Sequence, residues 1–120
     1  MPSTFGALLK RLRLKAGLSL REFCLKYDFD PVDQSRLERG RYSPPKNIYL
    51  LEEYAEIFGL ERGTTEWMEL YDAAASERGE IPADLMADER IVNKLPVLFR
   101  IMRISLDWLD ELLDQIKKGE

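Results

Sequence analysis

The sequence predicts an all-α protein, five helices in a first domain and a shorter helical extension after it. Three observations lead there. Apolar residues recur at spacings of three and four along most of the chain. Helix-start signals stand in front of those runs: Ser19 with Glu22 three residues on, Asp30 before Pro31, and Ser105 before Leu106. Glycines at positions 17, 40 and 59 stand just behind them, where a left-handed residue closes a helix.

The first helix carries Phe5, Leu8, Leu9, Leu12 and Ala16 on one face, with Lys10, Arg11, Arg13 and Lys15 over the rest, and stops at Gly17. The capping box Ser19-Leu20-Arg21-Glu22 opens a second helix with Leu20, Phe23, Cys24 and Tyr27 on one face, ending near Asp28. In the third, Asp30 caps and Pro31 takes the first helical position, where its missing N–H matters least; it runs to Arg39 and ends at Gly40. The short connection between the second and third helices meets the requirement of a helix-turn-helix. Arg41 to Lys46 contains Pro44-Pro45 and reads as extended. The fourth helix covers about Lys46 to Phe58, with an apolar face wide enough for burial on two sides. The fifth follows Gly63-Thr64-Thr65, with Trp67, Leu70, Tyr71 and Ala74 in register. This places a first domain at residues 1–76 and an extension at 77–120.

In the extension, residues 76–82 read as a loop and Ala83 to Met86 as a short helical turn. A helix over Asp88 to Leu95 and another from Pro96 follow, then a last one from Leu106 to Lys118, capped by Ser105. The last helix carries Leu106, Leu109, Leu112, Leu113 and Ile116 as a continuous seam that must be buried. Three coverings are open: helix five of the same chain, the twin helix in a homodimer, or another protein. Its outer face holds Asp107, Asp110, Glu111 and Asp114, which read as solvated.

Charge and composition narrow the function. Among 120 residues there is no histidine and one cysteine. That removes His-based acid–base chemistry, Cys–His nucleophile pairs and the commonest zinc ligands, and it excludes an intrachain disulfide. Glu52 and Glu53 diverge by about 100° on a helix and make a poor acid–base pair. No enzyme, metal site or cofactor is expected. No apolar run reaches the ~18 residues of a membrane span, and residues 1–6 lack the basic and apolar segments of a secretory leader, so the expected location is the cytoplasm. Residues 1–46 hold ten Lys/Arg against five Asp/Glu, a net of +5, while residues 47–120 hold eight against seventeen, a net of −9. A basic first part suggests a polyanionic partner.

The run Gly17-Leu18-Ser19, Glu22-Phe23-Cys24, Asp30 and Ser35-Arg36-Leu37-Glu38-Arg39-Gly40 resembles the phage-repressor (Xre/Cro-type) helix-turn-helix domains over about residues 5–60. With Pro44-Pro45-Lys46, Gly79-Glu80-Ile81-Pro82 and Lys94 to Arg100 it also resembles a subgroup of small regulators with a helical C-terminal extension. The resemblance implies a dimer on a two-fold operator in double-stranded DNA, with the third helix in the major groove. The DNA-facing set expected on that basis is Ser19, Arg21, Pro31, Val32, Asp33, Gln34, Arg36, Arg41 and Lys46. Arg36 suits guanine O6 and N7, Val32 a thymine methyl, and Asp33 a cytosine amino group or its own helix end. Arg41 and Lys46 suit phosphates; Gln34 either faces DNA or is a satisfied polar group at the domain edge. The amides at the start of the third helix are expected to be free for phosphate, Arg39 to make an ion pair within the domain, and Cys24 to be a buried thiol. Two functions fit: a transcriptional repressor, or an antitoxin that represses its own operon and neutralises a basic toxin.

Overall fold

The structure, a computed structural model, describes residues 4–119; the expectation placed on a leader at the first residues lies in part outside them. It is all-α: among the described residues there are nine helices and no strand. They are α1 (Thr4–Lys15), α2 (Leu20–Tyr27), α3 (Pro31–Glu38), α4 (Ile48–Ile57), α5 (Thr65–Glu77), α6 (Ala83–Met86), α7 (Glu89–Val92), α8 (Leu95–Ile104) and α9 (Leu106–Lys118). The chain divides into two units, one through Pro82 and one from Ala83. Just past residue 76, Glu77 accepts the Phe5 amide at 2.8 Å and Arg78 donates to the Pro45 carbonyl at 3.4 Å, both within the first unit.

In the first unit α1 packs on α3 and α5, α2 on α3, and α4 on α5. Phe5, Leu8, Leu9, Phe23, Leu51, Tyr54 and Leu70 fill the centre. Four rings stack in nearly parallel planes: Phe23 on Phe29 (5.5 Å between centroids), Phe23 on Phe58 (5.7 Å), Phe29 on Tyr54 (5.2 Å) and Tyr54 on Phe58 (6.5 Å). Offset aromatic pairs of this kind add about 0.5–1.5 kcal/mol each beyond area burial. Phe29 belongs to the α2–α3 turn, so the stack holds the turn itself. Asp28 makes that turn possible by taking the left-handed conformation (φ 60°, ψ 49°), which Asp tolerates better than most residues.

At Gly6, α1 crosses the end of α3. A Cβ there would lie 2.5 Å from the Leu37 carbonyl oxygen and 2.6 Å from that of Glu38. Only a residue without a side chain allows the two backbones this close.

The buried polar groups form one network. Arg13 is 6 % exposed and donates from Nε and Nη2 to the Glu38 carboxylate (2.9 and 2.8 Å) and from Nη1 to the Leu18 carbonyl (2.9 Å). Gln34 donates to Glu38 (3.1 Å) and accepts from the Tyr54 hydroxyl (2.7 Å). The bond to Glu38 raises the Arg13 pKa. Arg13, expected on the polar face of α1, is thus a core residue. The intradomain ion pair expected of Arg39 is made by Arg13, whereas Arg39 reaches the Ser35 carbonyl (3.4 Å).

Cys24 is buried, 3 % exposed, and burial pushes its thiol up from the usual 9.0; burial likewise raises the Tyr54 hydroxyl above its usual 10.0. Both groups hold their protons more tightly when folded, so their contribution is complete below the unfolded pKa and is lost as pH rises past it. The urea midpoint is therefore expected to fall between about pH 8 and pH 11. Cys24→Ala should remove the part of that fall near pH 9, and a midpoint independent of pH over this range would refute the account.

Helix bounds differ from expectation where a capping side chain moves a helix start or a helix closes sooner. Asn47 accepts the Tyr49 amide (2.9 Å) and starts α4 at Ile48. In the second unit Asp88 accepts the Arg90 amide (3.0 Å), α7 closes at Asn93, and α8 starts at Leu95 with Pro96 in its first turn. α9 has the expected bounds, with the Ser105 hydroxyl accepting the Trp108 amide (3.3 Å). None of the described side chains of this unit is buried. Among the described residues no helix is long and apolar enough to cross a membrane.

Candidate nucleic-acid interface

α3 has an inward and an outward side. Gln34, Leu37 and Glu38 face the core, which orients Val32, Asp33 and Arg36 outward. Val32 is 56 % exposed. The Arg36 guanidinium donates to the Tyr42 hydroxyl at 2.8 Å and lies over the Tyr42 ring, 5.8 Å from its centroid. The same hydroxyl donates to Asp33 Oδ1 at 3.5 Å. Asp33, Tyr42 and Arg36 thus form a chain across the outer face of α3. The hydroxyl bond raises the Arg36 pKa. Three or more of its five N–H donors remain for a ligand.

Of the two alternatives open for Gln34 the satisfied polar group is the one found, in the core and not at the domain edge, and one expectation for α3 is corrected. Gln34 is 3 % exposed, and both ends of its amide are used inside the fold, by Glu38 and Tyr54; it is a core group that ties α3 to α4. The start of α3 does not offer free amides. Asp30 Oδ1 accepts from Val32 (2.9 Å) and Asp33 (3.0 Å), and Pro31 has no N–H. That end carries carboxylates, so phosphate contacts must come from side-chain cations.

Those cations lie around α3. Arg41 and Lys46 are exposed in the α3–α4 connection, and Arg21 is exposed in the first turn of α2. Ser19 is exposed at the N-cap of α2, where its hydroxyl accepts the Glu22 amide (3.1 Å) and Glu22 accepts the Ser19 amide (3.2 Å). These bonds lower the Glu22 pKa. Pro31 is exposed at the tip of α3. Sequence reasoning missed Tyr42, Arg13 and Glu38. Tyr42 carries a readable signal, an exposed aromatic two residues after the helix-ending Gly40 and on the Arg36 side of it. Arg13 and Glu38 are 25 positions apart and carry none.

A capped α2, a left-handed turn at Asp28, and α3 packed on α1 and α2 with one side exposed form a helix-turn-helix. A family model described as a helix-turn-helix domain matches residues 4–68. The chain belongs to the helix-turn-helix domain family. The match covers α1 to α4 and enters α5, so the turn, the outer face of α3 and most of the core lie inside the family region, while the core residues Leu70 and Ala74 lie just beyond it. Such domains are DNA-binding modules, and the second helix of the motif is here α3. No curated protein and no solved structure matches the helix-turn-helix protein.

Proposed function

We propose that the protein is a sequence-specific transcriptional regulator of the phage-repressor type that binds duplex DNA in the cytoplasm as a homodimer and represses by occupying its operator. The observation that carries this reading is the outer face of α3: Val32, Asp33 and Arg36 are exposed while the same helix is anchored inward by Gln34, Leu37 and Glu38. Arg36 reads a guanine edge, already oriented by Tyr42. Val32 lies against a thymine methyl or a sugar. Arg41, Lys46 and Arg21 neutralise phosphates, with Ser19 and Pro31 at the groove edge. The proposed activity is binding, with no reaction assigned to the protein.

Selection of bound duplexes from a random pool tests this directly. The expected product is a palindrome with half-sites about one helical turn apart, roughly 34 Å. Arg36→Ala should relax preference at one base pair of each half-site by roughly ten- to a hundredfold. Tyr42→Phe keeps the ring and removes the hydroxyl, and should produce a smaller relaxation at the same base pair. Lys46→Ala should weaken all duplexes alike and flatten the salt dependence. If Arg36→Ala lowers affinity equally for every sequence, Arg36 is a phosphate clamp and the base-reading role is wrong.

A second reading rests on the acidic face of α9, with Asp107, Asp110, Glu111 and Asp114: an antitoxin whose second unit neutralises a basic toxin. A small basic protein encoded beside this one, and copurifying with it, would favour that reading.

A further inference from the structure

We infer that Arg78, held by Glu80, positions the contact of Lys46 with phosphate by fixing the peptide that leads into Lys46. This rests on the DNA-binding reading above and adds to it a residue that never touches the duplex.

The connection between α3 and α4 has little backbone bonding to hold it. Pro44 and Pro45 bring no N–H, and among the described residues one hydrogen bond reaches the stretch from Ser43 to Lys46. It runs from Arg78 Nη1 to the Pro45 carbonyl at 3.4 Å, across 33 positions of chain. That carbonyl shares its peptide unit with the Lys46 amide. The peptide is trans, so holding the carbonyl on Arg78 directs the Lys46 N–H away from it. Arg41, at the other end of the connection, is fixed separately, because its amide donates to the Arg36 carbonyl at 2.8 Å.

Arg78 is itself held in place. Gly79 takes the left-handed conformation (φ 69°), its amide donates to the Ser76 carbonyl at 3.1 Å, and the Glu80 amide donates to the Ala75 carbonyl at 2.8 Å. This paired closure of α5 folds Glu80 back beside the helix end. There its carboxylate accepts from Arg78 Nη2 at 2.8 Å, and the Arg78 side chain is 15 % exposed. Two segments that stood out in the sequence, Pro44-Pro45-Lys46 and Gly79-Glu80-Ile81-Pro82, thus meet at one guanidinium. Core stability does not account for it. Arg13 donates from Nε to Glu38 at 2.9 Å, whereas Arg78 Nε is buried with no acceptor among the described residues, an arrangement that costs stability. The guanidinium is also too covered to serve a phosphate directly, which leaves the carbonyl it holds as the route of its effect.

The test is a double-mutant cycle in the full-length protein, read as the salt dependence of binding to a mixed-sequence duplex. Lys46→Ala removes one phosphate contact, so the fall in affinity between roughly 50 and 200 mM salt should shrink about threefold. Arg78→Gln should produce most of that shrinkage, and nothing further once Lys46 is already alanine. In an Arg41→Ala background it should act at full strength. Glu80→Gln keeps Arg78 and loosens its anchor at a half-exposed side chain. It should act in the same direction and less strongly, and it carries the cycle if Arg78→Gln fails to show a urea transition. Additive effects of Arg78→Gln and Lys46→Ala overturn the proposal, because Arg78 would then meet phosphate itself or act through the fold at large. The Lys46 amide resonance of the DNA-free protein gives a second answer. It should shift in Arg78→Gln, and an unchanged resonance overturns the proposal as well. A wild-type protein that binds no duplex would sink the DNA-binding reading, and the amide resonance would still decide whether Arg78 holds the peptide.

Discussion

Replacing Glu38 by alanine is expected to lower the stability of the first unit by about 3–5 kcal/mol, the cost of leaving one member of a buried ion pair without its partner. Arg13 would keep only the Leu18 carbonyl, and the Gln34 amide would lose its acceptor. Against a typical domain stability of about 5–15 kcal/mol this is a large fraction, and it should appear as a fall of at least about 12 °C in Tm. The charge itself is not what the fold requires. In Arg13→Met with Glu38→Leu both charges leave together, and apolar groups of similar volume take their place. That double variant should recover most of the loss, with about 1 kcal/mol remaining for the Gln34 hydrogen bond. Urea unfolding followed by circular dichroism measures all three proteins. A Glu38→Ala protein within 1 kcal/mol of the parent would show that Arg13 finds water or another acceptor, and the network would lose its structural role.

The second large effect is expected at Gly6. Alanine is ordinarily the better helix former by up to about 1 kcal/mol. Here its Cβ would meet the Leu37 and Glu38 carbonyl oxygens at 2.5 and 2.6 Å, both backbone atoms that cannot rotate away. α1 must shift off α3, and Gly6→Ala is expected to destabilise by about 2–3 kcal/mol, toward the upper end of overpacking. The sign decides the matter. A neutral or stabilising Gly6→Ala, measured by the same urea titration, would mean that the crossing is looser than the distances state. Amide exchange should separate this variant from a general loss of stability, with the α1–α3 contact losing protection first.

The parts of this fold that were legible in the sequence are those settled within a few residues. Ser19 with Glu22, Asp30 with Pro31, and Ser105 before an apolar run each mark a helix start, and each side chain makes the capping bond that its position implies. The glycines at 17, 40 and 59 all take positive φ where their helices end. What was not legible depends on partners far along the chain. Arg13 has the residue type and neighbours of a surface position, and only the crossing of α1 over α3 puts Glu38 beside it. Gln34 sits on the motif helix among exposed residues, and its inward direction follows from Tyr54, 20 positions away. The amides at the tip of α3 looked available because a helix start usually offers them, but the residue that announces this helix is also the one that consumes them. The outer face of α3 was legible as a surface but not as an arrangement, since the link from Asp33 through Tyr42 to Arg36 needs the chain to turn at Gly40 and come back.

The split of α3 into two sides separates two inheritances. Its inward residues answer to the fold, and its outward ones, on the proposed reading, to the duplex. Val32, Asp33 and Arg36 contribute nothing to the core, so these positions can drift or be rewritten together while the scaffold beneath them stays constant. Tyr42 is the exception, because its hydroxyl joins two of the three, and a new residue at 33 or 36 must either suit that hydroxyl or release it. On the proposed reading, retargeting such a protein is a four-letter edit spread over eleven residues of chain, which leaves the shape of the scaffold untouched.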